Sequence, residues 1–313
     1  MYKKSNAVKL ISLLLFFALV LTGCNKSSLF DKAAALYEKG EYLSADIEFE
    51  DAIREDPDNV DLRVGYGFNL AMLGKKAEAA DVLDPIFESS ILEEGSGDLD
   101  VRSLFDIGDA LADIYLDIGK PSDAENIYDR LFFFAQSAEE KDKYKLKSAE
   151  IRAELYKDSS QQEQVYRTAL TEIIDLSVYA GDEYVALVDS YRTSGDYEGM
   201  LAAADNMIIY MRGRSAHIDN YPSAISTILD AAEAAGFTEH DKTSDDYYDA
   251  AKEFITRAGD KGLTYEQKLR YRIVIAERMH QTDVAIRLLG VYLNHRPDDV
   301  KAVKEREFLL NRF

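Results

Sequence analysis

Four aspartates at helical spacing are the first residues in this sequence whose arrangement could do chemistry. Asp106, Asp109, Asp113 and Asp117 follow one another at intervals of three, four and four residues, which places their carboxylates on one face of an α-helix. Like charges four apart cost a helix only about 0.2–0.5 kcal/mol per pair. The pattern indicates an acidic strip suited to a cationic segment such as a Lys/Arg-rich peptide. Two alternatives stay open: a solvated helix face, and a calcium site without the contiguous loop of an EF-hand.

Sequence motifs for other chemistry are incomplete. Residues 65–67 (Gly-Tyr-Gly) begin like a dinucleotide fingerprint, but residue 70 is Leu and no strand precedes it. Residues 213–217 (Gly-Arg-Ser-Ala-His) lack the last glycine of a nucleophile elbow. The histidines form no His-x-x-x-His pair and are interpreted as surface or capping residues: His217, His240, His280 and His295. Apart from the calcium alternative at the four aspartates, the sequence therefore predicts no metal site, and it predicts no catalytic residues and no bound cofactor.

The charge balance limits the classes of partner. The chain has 58 Asp and Glu against 37 Lys and Arg, a formal net charge of −21. Nucleic-acid binding and a polybasic membrane patch both require a basic surface, so neither is expected. A single Cys excludes a disulfide framework and a cysteine-rich zinc module. With 47% hydrophobic residues the chain is expected to fold.

The only cysteine, Cys24, follows a short apolar segment. Lys3 and Lys4 form a basic start, and residues 10–21 are apolar except for Ser12. This run is too short for a membrane span and has the length of the apolar region of a signal peptide.

Residues 21–24 (Leu-Thr-Gly-Cys) resemble the bacterial lipobox, which has an aliphatic residue three before Cys and small residues at the two positions between. The resemblance implies a signal peptide over residues 1–23, cleavage before Cys24, and covalent diacylglycerol and fatty acyl groups on Cys24. It also implies a bacterial lipoprotein held on the extracytoplasmic side of the cell membrane, since two acyl chains suffice for stable anchoring. Residues 24–29 are then a short tether that keeps the folded body near the bilayer.

A repeating pattern occupies the rest of the chain. Gly40 and Gly74 are 34 residues apart, and Gly119 and, more loosely, Gly195 continue the frame after an acidic insertion at about residues 94–104, which is predicted to be a loop. Around each glycine the apolar residues recur at helical spacing, which predicts two amphipathic helices with the glycine ending the first in a left-handed conformation. Alanine recurs five residues after the first three glycines: Ala45, Ala79 and Ala124.

This pattern resembles the tetratricopeptide repeat (TPR), a 34-residue helix–turn–helix. Tyr42, Pro57, Leu111, Ala112 and Tyr115 stand at signature positions of that family. The resemblance implies an all-α fold, a TPR-like α-solenoid in which helix–turn–helix pairs form a right-handed superhelix. Five tyrosines at packing positions are predicted to be core residues: Tyr42, Tyr115, Tyr128, Tyr166 and Tyr197.

The repeat domain is predicted over residues 30–313. The best repeats are 26–59, 60–93, 105–138 and 181–214. Degenerate repeats are predicted at 143–176, 222–260, with a polar loop at 238–246, and 266–299, where His280 takes the glycine position. Residues 300–313 are predicted to form a final helix that covers the last repeat.

In the TPR family, defined positions of each first helix face a concave groove. The four aspartates of the strip occupy these positions, as do Asp182 and Asp189 in the repeat at 181–214 and Asp61, Val64, Phe68 and Met72 in the repeat at 60–93. The resemblance therefore implies an acidic strip beside an apolar patch. The candidate partner-binding residues are Asp106, Asp109, Asp113, Asp117, Asp182, Asp189, Phe68 and Met72.

The predicted function is a non-catalytic scaffold or adaptor that binds another protein, with acidic groove residues selecting a basic segment. Resemblance to lipidated repeat proteins implies a role in envelope assembly, in a secretion or pilus system, or in glycan capture. The absence of Trp disfavours glycan capture. The rivals are a hydrolase with paired acids in the groove and a structural spacer. Two carboxylates about 5–10 Å apart in a deep pocket, with raised pKa, would favour the hydrolase.

Overall fold

The computed structural model describes residues 28–92, 101–213 and 218–311. Within these residues the chain forms fifteen α-helices, one four-residue helical turn at Gly259–Gly262 and no β-strand. The predicted all-α, TPR-like class is confirmed. The predicted signal peptide 1–23, the Cys24 lipidation site and His217 lie outside the described residues.

The chain divides into two compact units, of which unit 1 ends at Leu155 and unit 2 begins at Tyr156. The helices of unit 1 are α1 Ser28–Glu38, α2 Tyr42–Glu55, α3 Val60–Met72, α4 Lys76–Leu92, α5 Val101–Asp117, α6 Pro121–Phe134 and α7 Ala138–Tyr156, whose last residue crosses the division. α1 begins two residues before the predicted start of the repeat domain. α5 begins at Val101, so residues 101–104 are helical and their assignment to a loop was wrong.

The helices of unit 2 are α8 Glu163–Leu176, α9 Gly181–Ser194, α10 Tyr197–Arg212, α11 Tyr221–Ala235, α12 Ser244–Arg257, α13 Tyr265–Arg278, α14 Thr282–His295 and α15 Val300–Asn311. α12 begins at Ser244, so the loop predicted at 238–246 ends three residues earlier than expected. A capping box explains this start, because Thr243 and Asp246 satisfy each other's backbone N–H groups.

Within each unit, consecutive helices pack as hairpins. These are α1–α2, α3–α4 and α5–α6 in unit 1, and α9–α10, α11–α12 and α13–α14 in unit 2. The division between the units falls inside residues 143–176, the segment predicted as one degenerate repeat. Its two helices, α7 and α8, consequently belong to different units.

The predicted glycine turns end the first helix of four hairpins. Gly40, Gly74, Gly119 and Gly195 have φ between +75° and +79°, a left-handed conformation that glycine adopts without steric cost. The backbone N–H of the residue that follows each glycine donates to the carbonyl four residues before that glycine. An example is the 2.8 Å bond from Lys120 N to Tyr115 O, across Gly119. His280 takes the same position between α13 and α14 with φ +57°, so its predicted place in a helix-ending turn is confirmed.

The apolar positions of the repeat form the core of unit 1. Ala45, Ala79 and Ala124 are fully buried, and one continuous cluster runs from Phe30 to Ile151. Burial of each large side chain contributes about 1.5–3 kcal/mol, and the small alanines allow the paired helices to approach closely.

The five tyrosines that were predicted to be core residues differ in their burial. Tyr115 and Tyr128 are buried, and Tyr42 packs against the core of unit 1. Tyr166 is half-buried in unit 2. Tyr197 is 50% exposed at the start of α10, so its assignment to the core was wrong.

A buried arginine holds α8 against α9 in unit 2. Arg167 Nε donates to Ser190 Oγ and its Nη2 donates to Ser190 O, both at 3.0 Å. The guanidinium lies 3.9 Å from the ring centroid of Tyr191 and pairs with Glu163 at 2.6 Å. These contacts fix the face of α9 that carries Asp189 and Arg192.

Candidate partner-binding surfaces

The acidic strip (Asp106, Asp109, Asp113 and Asp117) lies on α5, as the spacing predicts. A glycine next to Asp109 brings α5 close to its neighbours, because a Cβ on Gly108 would lie 2.8 Å from the Phe87 side chain and 2.9 Å from that of Leu131. Asp106, Asp109 and Asp113 are half-buried, and Asp117 is exposed.

Asp109 is neutralised within unit 1 by two lysines of α7. Lys143 Nζ lies 2.8 Å from Asp109 Oδ2 and Lys147 Nζ lies 2.7 Å from Oδ1. The Tyr144 hydroxyl donates to Oδ2 at 3.4 Å. A carboxylate that receives two ammonium groups and a hydroxyl offers little unbalanced charge to a partner.

An aromatic stack lies beneath these lysines. The buried ring of Tyr144 is 5.5 Å from that of Phe105 and 6.2 Å from that of Tyr128, both nearly parallel. Each lysine ammonium lies 4.5 Å from a ring centroid, Lys143 over Tyr144 and Lys147 over Tyr128. Burial, and then the negative charge of Asp109, raise the pKa of Tyr144, which therefore stays a neutral hydrogen-bond donor. The two lysines and the stacked rings form a packed structural element, which covers the part of the strip around Asp109.

The rest of the strip is less enclosed. Asp117 Oδ2 pairs with Lys76 Nζ at 2.7 Å across an exposed surface. Asp106 lies close enough to raise the pKa of Tyr144 through its charge. The strip is therefore an acidic surface that the chain's own lysines partly neutralise.

The apolar patch predicted beside the strip is not a surface patch. Phe68 and Val64 are buried in the core of unit 1, and Met72 is half-buried against the same core. Phe68 is therefore a core residue, and its assignment to partner binding was wrong. The reason is geometric: α3 is covered by α2 and α4, which buries the middle of this side of the helix.

Asp182 and Asp189 lie on α9 in unit 2, whereas the strip lies in unit 1. Asp182 is exposed at the start of α9. Asp189 Oδ1 is 3.1 Å from both Nε and Nη2 of Arg192, one helical turn later. This pair stands at the edge of a cavity that sequence analysis did not predict.

The cavity has a volume of about 550 Å³ and opens between the ends of α9 and α11 and the start of α10. Arg192 of α9, Tyr197 and Met200 of α10, and Asp230 of α11 line it, as does Phe237 directly after α11. Met200 is buried, whereas Tyr197 is 50% exposed and Phe237 is 88% exposed. We call this site the α9–α11 cavity.

The acidic side chains of the α9–α11 cavity have arginine partners only at long ion-pair distances. Asp230 Oδ2 is 3.8 Å from Arg192 Nε, and Glu233 Oε2 is 3.5 Å from Arg278 Nη2. Arg278 also donates to Leu229 O at 2.8 Å. Burial raises the pKa of the Asp230 carboxyl, against the opposing effect of the two arginines. The arginines therefore offset only part of the free-energy cost of desolvating the Asp230 carboxylate.

This cavity was not predicted, because Tyr197 was assigned to the core. One signal was present: Phe237 is a large apolar residue that follows Gly236 and introduces a polar insertion. An aromatic residue at such a place has no helix face in which to be buried. The contributions of Arg192 and Asp230 had no comparable signal, because both residues have ordinary positions on amphipathic helices.

Two of the three described histidines contact a tyrosine ring. His240 Nε2 lies 3.6 Å from Asp205 Oδ2 and 3.3 Å from the Tyr247 hydroxyl. His295 stacks edge-on against Tyr265 at the end of α14. Across the described ranges, no group of three or more His, Cys, Asp or Glu side chains is placed to hold a metal ion. Among the same residues, no helix combines the length and apolar character of a membrane span.

Comparison with known proteins supports the fold. No protein-family model matches the chain, and no curated protein sequence matches it. The structure of Naa15/Naa10 bound to HypK-THB is similar over 90% of this chain and 38% of that chain, with 12% identity and a TM-score of 0.51. A tetratricopeptide repeat protein from Parabacteroides merdae is 14% identical over 90% of this chain and 97% of that one, with a TM-score of 0.37.

The C-terminal part of a TPR repeat-containing protein from Cytophaga hutchinsonii is 14% identical, covers 88% of this chain and 98% of that one, and has a TM-score of 0.45. At these identities the similarity concerns the fold alone. The helical hairpins and the left-handed glycine turns, together with the Naa15/Naa10 similarity, show a TPR-like helical-repeat fold.

Proposed function

We propose that this protein is a non-catalytic scaffold that binds a segment of another protein and is held on the extracytoplasmic side of a bacterial membrane by lipid on Cys24. One observation carries the binding function. TPR-like hairpins recur in both units, and their first helices carry acidic residues at half-buried or exposed positions, among them Asp113 on α5 and Asp182 on α9. Such a surface suits a partner segment with basic residues.

The strip requires a narrower definition in this proposal. Asp109 has a structural role because Lys143 and Lys147 already pair with it. The partner-binding part consists of Asp106, Asp113 and Asp117, whose own contacts within the chain a basic segment must replace. Lys76 must then exchange Asp117 for solvent or for another carboxylate when a basic segment binds.

The binding test compares the full chain with two triple variants in detergent. The strip variant carries Asp106→Asn, Asp113→Asn and Asp117→Asn. The control variant carries Glu38→Gln, Glu139→Gln and Asp142→Asn, three exposed acids of unit 1 outside the strip. Each serves as bait for the organism's solubilised envelope proteins at low and high salt, with mass spectrometry as the readout.

A partner that the parent and the control capture, that the strip variant loses and that high salt weakens supports the strip as its binding surface. A partner captured equally by all three baits supports the scaffold and excludes the strip. No specific partner at any salt concentration would overturn the scaffold function.

The anchor is tested separately. Growth with an alkyne-tagged fatty acid should label the parent and leave Cys24→Ser unlabelled, and the variant should leave the membrane fraction. A Cys24→Ser protein that stays in the membrane would contradict anchoring through this residue.

A second candidate function, glycan capture or hydrolysis, is favoured by one observation. The α9–α11 cavity places Asp230 and Glu233 beside the exposed ring of Phe237, and aromatic rings and carboxylates are common in sugar sites. Incubation of the parent and of Asp230→Asn with envelope glycans tests it. Release of smaller saccharides by the parent alone would establish the hydrolase.

A further inference from the structure

We propose that the α9–α11 cavity binds an arginine side chain of the partner protein. The guanidinium would pair with Asp230 and Glu233 and stack against Phe237 and Tyr197. This inference rests on the scaffold function proposed above, and it assigns the binding site to unit 2 and the contacting residue type to arginine.

Each carboxylate of the cavity has an arginine partner only at the long end of ion-pair distances. Arg192 makes its short contacts to Asp189, at 3.1 Å, and approaches Asp230 only to 3.8 Å. Arg278 donates to a backbone carbonyl at 2.8 Å and approaches Glu233 only to 3.5 Å. Charge-assisted hydrogen bonds in proteins are typically about 2.7–2.9 Å long. Asp230 and Glu233 therefore have unused capacity to accept hydrogen bonds from a further guanidinium.

The count of charges points the same way. Asp230 and Glu233 line the cavity, Asp189 pairs with Arg192 at its edge, and Arg192 and Arg278 are the cations that act on Asp230. Burial raises the pKa of Asp230 although both arginines lower it, so the two arginines do not fully offset the cost of desolvating this carboxylate. One added cation would balance the three carboxylates.

The aromatic walls select a flat cation. Phe237 and Tyr197 present exposed rings at the cavity. An arginine guanidinium stacks on such rings and pairs with a carboxylate through its edge, whereas a lysine ammonium does so as a compact point charge. The buried Met200 and Ala234 provide an apolar floor for the methylene stem.

The size of the site is consistent with this occupant. About 550 Å³ lies within the range of small-molecule sites and accommodates an arginine side chain with an apolar neighbour from the same segment. A neutral sugar of similar size would desolvate Asp230 further without supplying a positive charge, so the charge pattern favours arginine over a glycan.

The experiment uses peptides as the probe. The full chain in detergent is the target for a display library of random twelve-residue peptides. The strongest binder is then synthesised with a fluorescent label and measured by anisotropy, both as selected and with its arginine replaced by lysine or by citrulline, the neutral isostere. The protein variants are Asp230→Asn and Phe237→Ser, and Asp249→Asn is the control, an exposed acid on α12 of the same unit.

We expect the parent to select peptides with arginine beside an apolar residue. Citrulline in the peptide and Asp230→Asn in the protein should each weaken binding about tenfold or more, the loss expected for one charge-assisted contact. Lysine and Phe237→Ser should weaken it less, and Asp249→Asn should leave it within about twofold. The citrulline peptide tests the contact on unaltered protein, so the result does not depend on whether a variant folds.

Three results would overturn the inference: selected peptides without arginine, equal binding by the parent and Asp230→Asn, or no peptide bound by the parent. Binding of an oligosaccharide that Phe237→Ser abolishes would assign the cavity to glycans instead and also overturn it. None of these results decides the scaffold function, which the envelope capture experiment tests through its own partner.

Discussion

Acidic residues are paired to different degrees in the Asp109 cluster of unit 1 (Asp109, Lys143, Tyr144 and Lys147) and in the α9–α11 cavity of unit 2. At Asp109, two ammonium groups lie within 2.8 Å and the aromatic ring below is buried. At Asp230, the guanidinium stands 3.8 Å away and the nearby rings are exposed. The first arrangement is complete within the chain and stabilises the fold. The second leaves the acidic charge only partly compensated and the aromatic rings exposed, which is expected of a surface that meets a partner.

The largest expected difference between the two regions comes from their aromatic residues. Tyr144→Ala removes a buried ring between Phe105 and Tyr128 and should lower the free energy of unfolding of unit 1 by about 3–5 kcal/mol. Tyr197→Ala removes a half-exposed ring and should cost less than about 1 kcal/mol. Urea unfolding followed by far-UV circular dichroism measures both. Equal losses would contradict the distinction between a packed cluster and an open cavity.

A smaller effect is expected from the carboxylates of the strip. Asp109→Asn leaves Lys143 and Lys147 without their shared counter-charge and should lower the free energy of unfolding by about 1–3 kcal/mol. Asp117→Asn breaks an exposed pair with Lys76, for which we expect less than about 1 kcal/mol. The same unfolding measurement at low and high salt separates them. An Asp109→Asn protein as stable as the parent would show that this pairing does not support the fold.

The smallest effect has the opposite sign and depends on pH. Because burial raises the pKa of Asp230 in the folded state, this group opposes folding once it ionises, and the loss of stability develops as pH rises through the folded pKa. Asp230→Asn should therefore match the parent near pH 3 and be more stable at pH 7. The gain should stay below about 1 kcal/mol because the partly exposed carboxyl is screened by water. Thermal unfolding at both pH values measures it, and destabilisation at pH 7 would show that the Arg192 pair outweighs burial.

Much of the fold could be predicted because its signals are local. The glycines at Gly40, Gly74, Gly119 and Gly195 adopt the left-handed turns that their positions predict, and His280 takes the same conformation where the repeat lacks glycine. The prediction was less accurate where the repeat diverges. Residues 143–176 contain no glycine at the turn position, and the division between the units falls there.

The candidate site could be predicted only in part. The face shared by the four aspartates follows from their spacing, but the neutralisation of Asp109 does not. Its partners Lys143 and Lys147 are 34 and 38 residues away, about one repeat length. A comparison of charges one repeat apart could have indicated this contact. Phe68 was misassigned because periodicity gives the apolar side of a helix without showing how many neighbours cover it.

Local sequence patterns are sufficient to predict the helices, their glycine turns and the apolar positions that form the core of each repeat. These features depend on backbone conformation and on spacings of three to five residues, which any single segment contains. Which acidic residues are closely paired with cations depends instead on how the helices pack. That outcome depends on distances of a few ångströms between side chains from different helices, as at Asp109 with Lys143 and at Asp230 with Arg192. Coulombic pairing and desolvation change steeply over such distances, so the same residue type is closely paired in one unit and only loosely paired in the other.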